Sequence, residues 1–166
     1  MKKIIMAMLL IAAFLLGYGF NRLSNNVDRG PRVTSIGGIF FKSKDPAALK
    51  AWYSKNLGIR MVQSGSNFEW RQGVDSTKKG FTLWAPFKET TKYFQPSEKQ
   101  FMINYRVEQL DKLLLNLKAA GVLPTDSVEK SSYGNFVHLM DPEGNKIELW
   151  EPNDVEYAKL GNITTR

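Results

Sequence analysis

The chain has no cysteine and only one histidine, His138, in 166 residues. Without cysteine there is no disulfide, no thiolate metal site and no cysteine nucleophile. That composition is compatible with an oxidising compartment but does not require one. Also missing are a Gly-rich phosphate loop, a nucleophile elbow and an HExxH motif. No Lys/Arg block and no interleaving of basic with aromatic residues occurs, although 23 Lys+Arg stand against 16 Asp+Glu, a net charge of +7. Residues 1–30 carry +3 of that charge, and the +4 on the remainder is dispersed. A nucleic-acid partner is therefore not expected. The dispersed charge reads as solvated surface, with at most a mild pull on anionic ligands.

The length suits one domain with a proper core. Lys2 and Lys3 precede an uncharged run, Ile4–Phe20 (IIMAMLLIAAFLLGYGF). The run is longer than a usual signal h-region and slightly short of the ~20 residues that span a bilayer. Residues 1–21 are expected to form an N-terminal membrane anchor or signal segment, with the two lysines kept in the cytoplasm. The domain would then sit outside the cytoplasm of a bacterial cell, or be secreted or periplasmic if the segment is cleaved. Residues 22–32 are polar and turn-rich and read as a linker.

Beyond the linker the sequence repeats itself. SIGGIFFKSKD (35–45) reads as a strand and DPAALKAWYSKNLG (45–58) as a helix. Asp45 is placed to cap that helix, Pro46 to begin it and Gly58 to stop it. Leu49, Trp52, Tyr53 and Leu57 form its apolar stripe. Three strand-like segments follow: IRMVQSG, NFEWRQG and GFTLWAPF. The same order returns with FMINYRV, the helix LDKLLLNLKAAG, then DSVEKSSYG, NFVHLMD and KIELWEP, the last two joined by the turn DPEGN. The motif Leu-Trp-x-Pro closes both halves. The layout is βαβββ twice, an α+β domain over residues 33–153. Module 1 spans 33–96, module 2 spans 97–153, and 154–166 is left as a C-terminal tail.

GGIFFKSKDPAALKAWYSKNLGI, followed at the far end by DPEGNKIELWEP, resembles the glyoxalase/bleomycin-resistance/dioxygenase superfamily, the vicinal oxygen chelate proteins. The resemblance implies that the two modules curl into one curved mixed-sheet cup. It also implies four equivalent ligand positions, on the first and last strand of each module. Counted from the start of each helix and from the repeated motif, these are Gly38, Met102, Thr82 and Glu148. Only Glu148 is a good donor for a divalent ion, because glycine, thioether and a neutral hydroxyl are poor ones. No resident metal or other cofactor is expected, and a divalent metal is the disfavoured alternative.

Alternation along the strands turns Trp150 and Lys146 inward with Glu148, Trp84 with Thr82, and Asn104 and Arg106 with Met102. Pairing Met140 with Lys146 across the turn brings His138 opposite Glu148. Trp70 is the module-one counterpart of His138 by sequence. The candidate acid–base pair is thus Glu148 with His138. The candidate ligand-binding residues are Trp70, Thr82, Trp84, Met102, Asn104 and Trp150. The bland readings are a histidine satisfied by one hydrogen bond and tryptophans that merely pack. The expected function is a metal-free small-molecule binding protein with an aromatic cup. The alternative is a lyase or isomerase acting on an oxygenated small molecule through Glu148 and His138. Association into a homodimer stays open.

Overall fold

A computed structural model describes residues 11–14, 29–73, 75–159 and 164–165. Eight strands form one sheet in the order β5-β6-β7-β4-β1-β3-β2-β8. The first half supplies β1 (Arg32–Ser43), α1 (Pro46–Leu57), β2 (Ser66–Arg71) and β3 (Lys79–Lys88). The second supplies β4 (Phe101–Glu108), α2 (Leu110–Ala119), β5 (Glu129–Ser131), β6 (Gly134–Met140) and β7 (Lys146–Pro152). A short helix α3 (Asp154–Ala158) and strand β8 (Thr164–Thr165) follow. The halves meet where β1 and β4 pair antiparallel, while β1–β3 and β4–β7 are parallel.

Local chemistry explains the boundaries. The Asp45 carboxylate accepts from the backbone N–H of Ala47 and Ala48 at 3.0 and 2.9 Å, and Gly58 ends α1 in the left-handed region at φ 68°. In the turn after β6, Asp141 Oδ1 accepts from Glu143 N and Asn145 N at 2.9 and 2.8 Å. That turn sets the β6–β7 register, with Met140 opposite Lys146 and His138 opposite Glu148. On the outer face, α2 covers a core of Val107, Leu110, Val137, Leu139 and Leu149. On the inner face Phe40, Ala85, Phe94 and Met102 pack together.

Several expectations need correction. Residues 59–65, read as a strand, form none. The three-residue β5 is all that forms of the strand expected over 126–134. The segment read as a tail instead builds α3 and β8. β8 lies beside β2, at the edge that β5 occupies in the other half, so the chain's last described residues fill the place left by 59–65. The stripe on α1 is barely used: no residue of α1 is buried, and Trp52 and Leu57 are exposed. Finally, the expected membrane anchor is overturned, and with it the membrane contact and the placement outside the cytoplasm. No helix among the described residues is long and apolar enough to cross a membrane. Residues 11–14 of that segment are helical, and the rest of 1–21 lies outside the described residues.

Candidate functional site

Register fixes which side chains share the cup. One row runs straight across the sheet: His138, Glu148, Asn104, Gly38, Leu83, Asn67, Thr164. The residue of β3 that aligns with Glu148 is therefore Leu83, not Thr82. The residue of β4 is Asn104, not Met102, and the partner of His138 in the first half is Asn67, not Trp70. The repeated Leu-Trp-x-Pro motifs are thus offset by one residue in space. A one-residue offset sends every side chain of a strand to the other face. Phe81, Leu83, Ala85 and Phe87, an unbroken apolar row at period two, face the cup. That period decides the face of β3, since a row of this kind gains more from burial than Thr82 and Trp84 would.

Trp84 accordingly packs on the helix side, 5.0 Å from Phe41 and 4.8 Å from Tyr53 between ring centroids. Trp70 and Thr82 bond to each other. The Trp70 indole N–H donates to the Thr82 hydroxyl at 3.0 Å, which donates to the Ile36 carbonyl at 2.8 Å. Met102 faces inward but is wholly buried among Phe40, Ala85 and Phe94. None of these four lines the cavities at Glu148. Asn104 and His138 both hydrogen-bond to Glu148, and Trp150 lines the inner cavity with Asn104 and Glu148.

Two cavities adjoin at Glu148. The outer one, about 410 Å³, is lined by Phe40, Leu83, Phe87, Tyr93, Glu129 and Phe136 among others. The inner one, about 100 Å³, adds Gly37, Asn104, Tyr133, Trp150 and Tyr157. Both share Phe40, Leu83, Phe136 and Glu148. Phe136 and Trp150 stack nearly parallel at 5.7 Å and form one aromatic wall. A larger groove of about 700 Å³ opens between Lys78, Lys79, Asn135 and α3. Its polar groups are already engaged: Asn135 donates to Glu151, and Asp154 pairs with Arg106.

Glu148 is 2% exposed and carries a dense hydrogen-bond shell. The Asn104 amide N–H donates to Oε1 at 2.5 Å. The Tyr93 hydroxyl donates to Oε2, and His138 Nε2 lies 2.9 Å from the same oxygen. The other imidazole nitrogen, Nδ1, is 2.6 Å from Asp126 Oδ2. Asp126 is partly exposed, so an Asp126–His138–Glu148 chain runs from the surface to the cup. Burial opposes a charged imidazole, but the hydrogen bonds and charge of Glu148, with Asp126, outweigh it and raise the His138 pKa above its ordinary value. Burial, and then the Glu148 charge, pushes the Tyr93 phenol far above its usual range, so it stays a donor. Lys146 Nζ donates to the Tyr93 carbonyl at 2.8 Å and holds that loop against the sheet.

Sequence reasoning missed Tyr93, Asp126, Phe136, Tyr157, Leu83 and Gly37. Tyr93 lies in the aperiodic loop between the halves, and Tyr157 lies in the segment read as a tail. The period-two row 81-83-85-87 is the signal that would have placed Leu83. The four in-register positions, Gly38, Leu83, Asn104 and Glu148, offer a divalent ion one carboxylate, one amide, an alkyl group and no side chain. That donor set does not suit a divalent metal.

A family model described as Glyoxalase-like domain matches residues 38–150. No curated protein matches the chain. Among solved structures, a variant of methylmalonyl-CoA epimerase from Streptomyces coelicolor, in complex with 2-nitronate-propionyl-CoA, is similar with TM-score 0.55 and 16% identity. That match covers 74% of this chain and 99% of the other. Catechol 2,3-dioxygenase is similar with TM-score 0.51 and 19% identity, over 76% of this chain but 42% of the other. At such identities these likenesses concern the fold. The family match spans more than half of the chain, and with the paired modules and their continuous sheet it shows that the protein belongs to the glyoxalase-like domain family of the vicinal oxygen chelate superfamily.

Proposed function

We propose that this domain binds a small, flat, largely apolar molecule in its cup without a resident metal, with Glu148 as the polar group that meets it. The observation that carries this reading is a buried, three-donor carboxylate at the junction of two aromatic-walled cavities. A charge in such surroundings is costly unless it is paired or hydrogen-bonded, and the shell around Glu148 meets that cost before any ligand arrives. The combined space suits a small molecule.

The Asp126–His138–Glu148 chain favours a second reading, a lyase or isomerase in which Glu148 moves a proton that His138 passes toward solvent. One experiment separates the two. Thermal-shift screening of a small-molecule library, wild type against Glu148→Gln, is expected to show shifts that weaken in the variant by roughly 1.5–3 kcal/mol of binding energy. Binding that survives while turnover of a hit falls by roughly 10²–10⁴ supports proton transfer instead. Equal shifts and equal turnover in both proteins would remove Glu148 from the site. Elemental analysis of the purified protein tests the metal-free part, and stoichiometric Zn, Ni, Mn or Fe would overturn it.

A further inference from the structure

The hydrogen-bonding groups of the cup are unevenly spent. The donors nearest Glu148 are committed, whereas Arg106 Nη1 is buried without a partner but lies outside the lining of both cavities. Asn104 Nδ2, the Tyr93 hydroxyl and His138 all serve Glu148. The Trp150 indole N–H donates to the Tyr133 carbonyl at 3.1 Å, and the Tyr157 hydroxyl donates to Asn67 Oδ1 at 2.7 Å. Lys146 gives one of its three N–H groups to the Tyr93 carbonyl and lies outside the lining of both cavities. The acceptors are not used up. Asn104 is 2% exposed, yet its Oδ1 has no partner. A carboxylate offers about four lone-pair sites, and Glu148 uses three of them. Glu129 adds a further carboxylate to the lining of the outer cavity.

Gly37 bears on the same point. It sits at a bulge in β1, where the β1–β4 register shifts between Ile36 and Gly38. A Cβ at position 37 would stand 2.1 Å from Asn104 Oδ1. Only a glycine lets the Asn104 amide lie this close to β1, with its Nδ2 turned to Glu148 beside the inner cavity that Gly37 and Asn104 both line. The amide oxygen is closed off there, and the acceptors left at the cavities are the Glu148 and Glu129 carboxylates.

We propose that the ligand is a flat aromatic molecule carrying an N–H donor group, such as an amidine or amine, presented to the Glu148 carboxylate, which lines both cavities and keeps an unspent lone pair. This deepens the binding reading above and rests on it. The ring lies in the aromatic enclosure of Phe40, Phe136 and Trp150. A positive charge on the donor group is favoured by the Glu148 carboxylate and by the aromatic faces around it. A ligand offering a carboxylate at the same place would be repelled by Glu148.

The test uses three one-ring probes that differ in their polar group: benzamidine, benzoate and toluene. Each is titrated into the full chain by calorimetry. Benzamidine is expected to bind at least about tenfold more tightly than the other two. Glu148→Gln should weaken benzamidine by about 10–100-fold, the scale of a charged hydrogen bond, and leave toluene unchanged. If the variant fails to fold, the ranking of the three probes on the unaltered chain decides alone. Benzoate or toluene binding as tightly as benzamidine overturns the donor class while leaving the binding cup intact. Absence of binding by all three overturns the cup reading, and this proposal with it.

Discussion

Glu148 keeps its place in an apolar cup because three neighbours donate to it, and His138 is the most responsive of them. Its raised pKa has a definite consequence for stability. The folded state holds the imidazole proton more tightly than the unfolded state, whose value is near 6.5. The stabilisation from His138 is therefore fully present below the unfolded value and is lost as pH rises through the folded one. Urea denaturation of wild type and His138→Gln across that range is expected to show the stability difference shrinking toward alkaline pH. A difference that grew with pH would contradict the hydrogen-bonded imidazolium. This pairing was legible in the sequence, because the DPEGN turn fixes the register of the strands it joins. Asp126 was not legible, because nothing local says that its side chain turns back to His138.

Among the elements, β3 is one that formed where expected but faces the other way. The repeated motif suggested that Trp84 and Trp150 are equivalent, yet Trp150 walls the inner cavity and Trp84 lies under α1. The repeated motif does not set the face of the strand, which is decided by which row is more apolar, Phe81-Leu83-Ala85-Phe87 or Thr82-Trp84. The contrast gives a prediction. Trp150→Leu should weaken ligand-induced shifts, while Trp84→Leu should leave them unchanged and lower only stability, by the loss of two ring contacts worth roughly 0.5–1.5 kcal/mol each beyond area burial. Ligand affinity that falls equally in both variants would return Trp84 to the cup. The helices were easier to read, because Asp45, Pro46 and Gly58 act locally. The unburied stripe of α1 shows the limit: an apolar pattern marks what a helix offers, and the sheet decides how much it takes.

For the whole molecule, the segment after β7 closes both the sheet and the base of the cup. Arg106 is 3% exposed at its side chain, lies 5.0 Å from the Trp150 ring, and places one guanidinium nitrogen 2.7 Å from each Asp154 oxygen. Asp154→Ala would leave that buried cation without its carboxylate. It should cost about 3 kcal/mol, the low end for a broken buried pair because Asp154 is itself 31% exposed. Chemical denaturation measures this, and a loss below about 1 kcal/mol would show that Arg106 finds another partner. Twofold repetition in the sequence predicted two equal modules, but only the second completes its own outer edge. The first takes β8, whose Thr165 meets Ser66 across 99 residues of chain. During synthesis at about 5–20 residues per second, β2 thus waits roughly 5–20 s for its neighbour. Over that interval the half that emerges first presents an unpaired strand edge of the kind that invites pairing with another chain, so a nascent copy depends on finishing before it meets a second one.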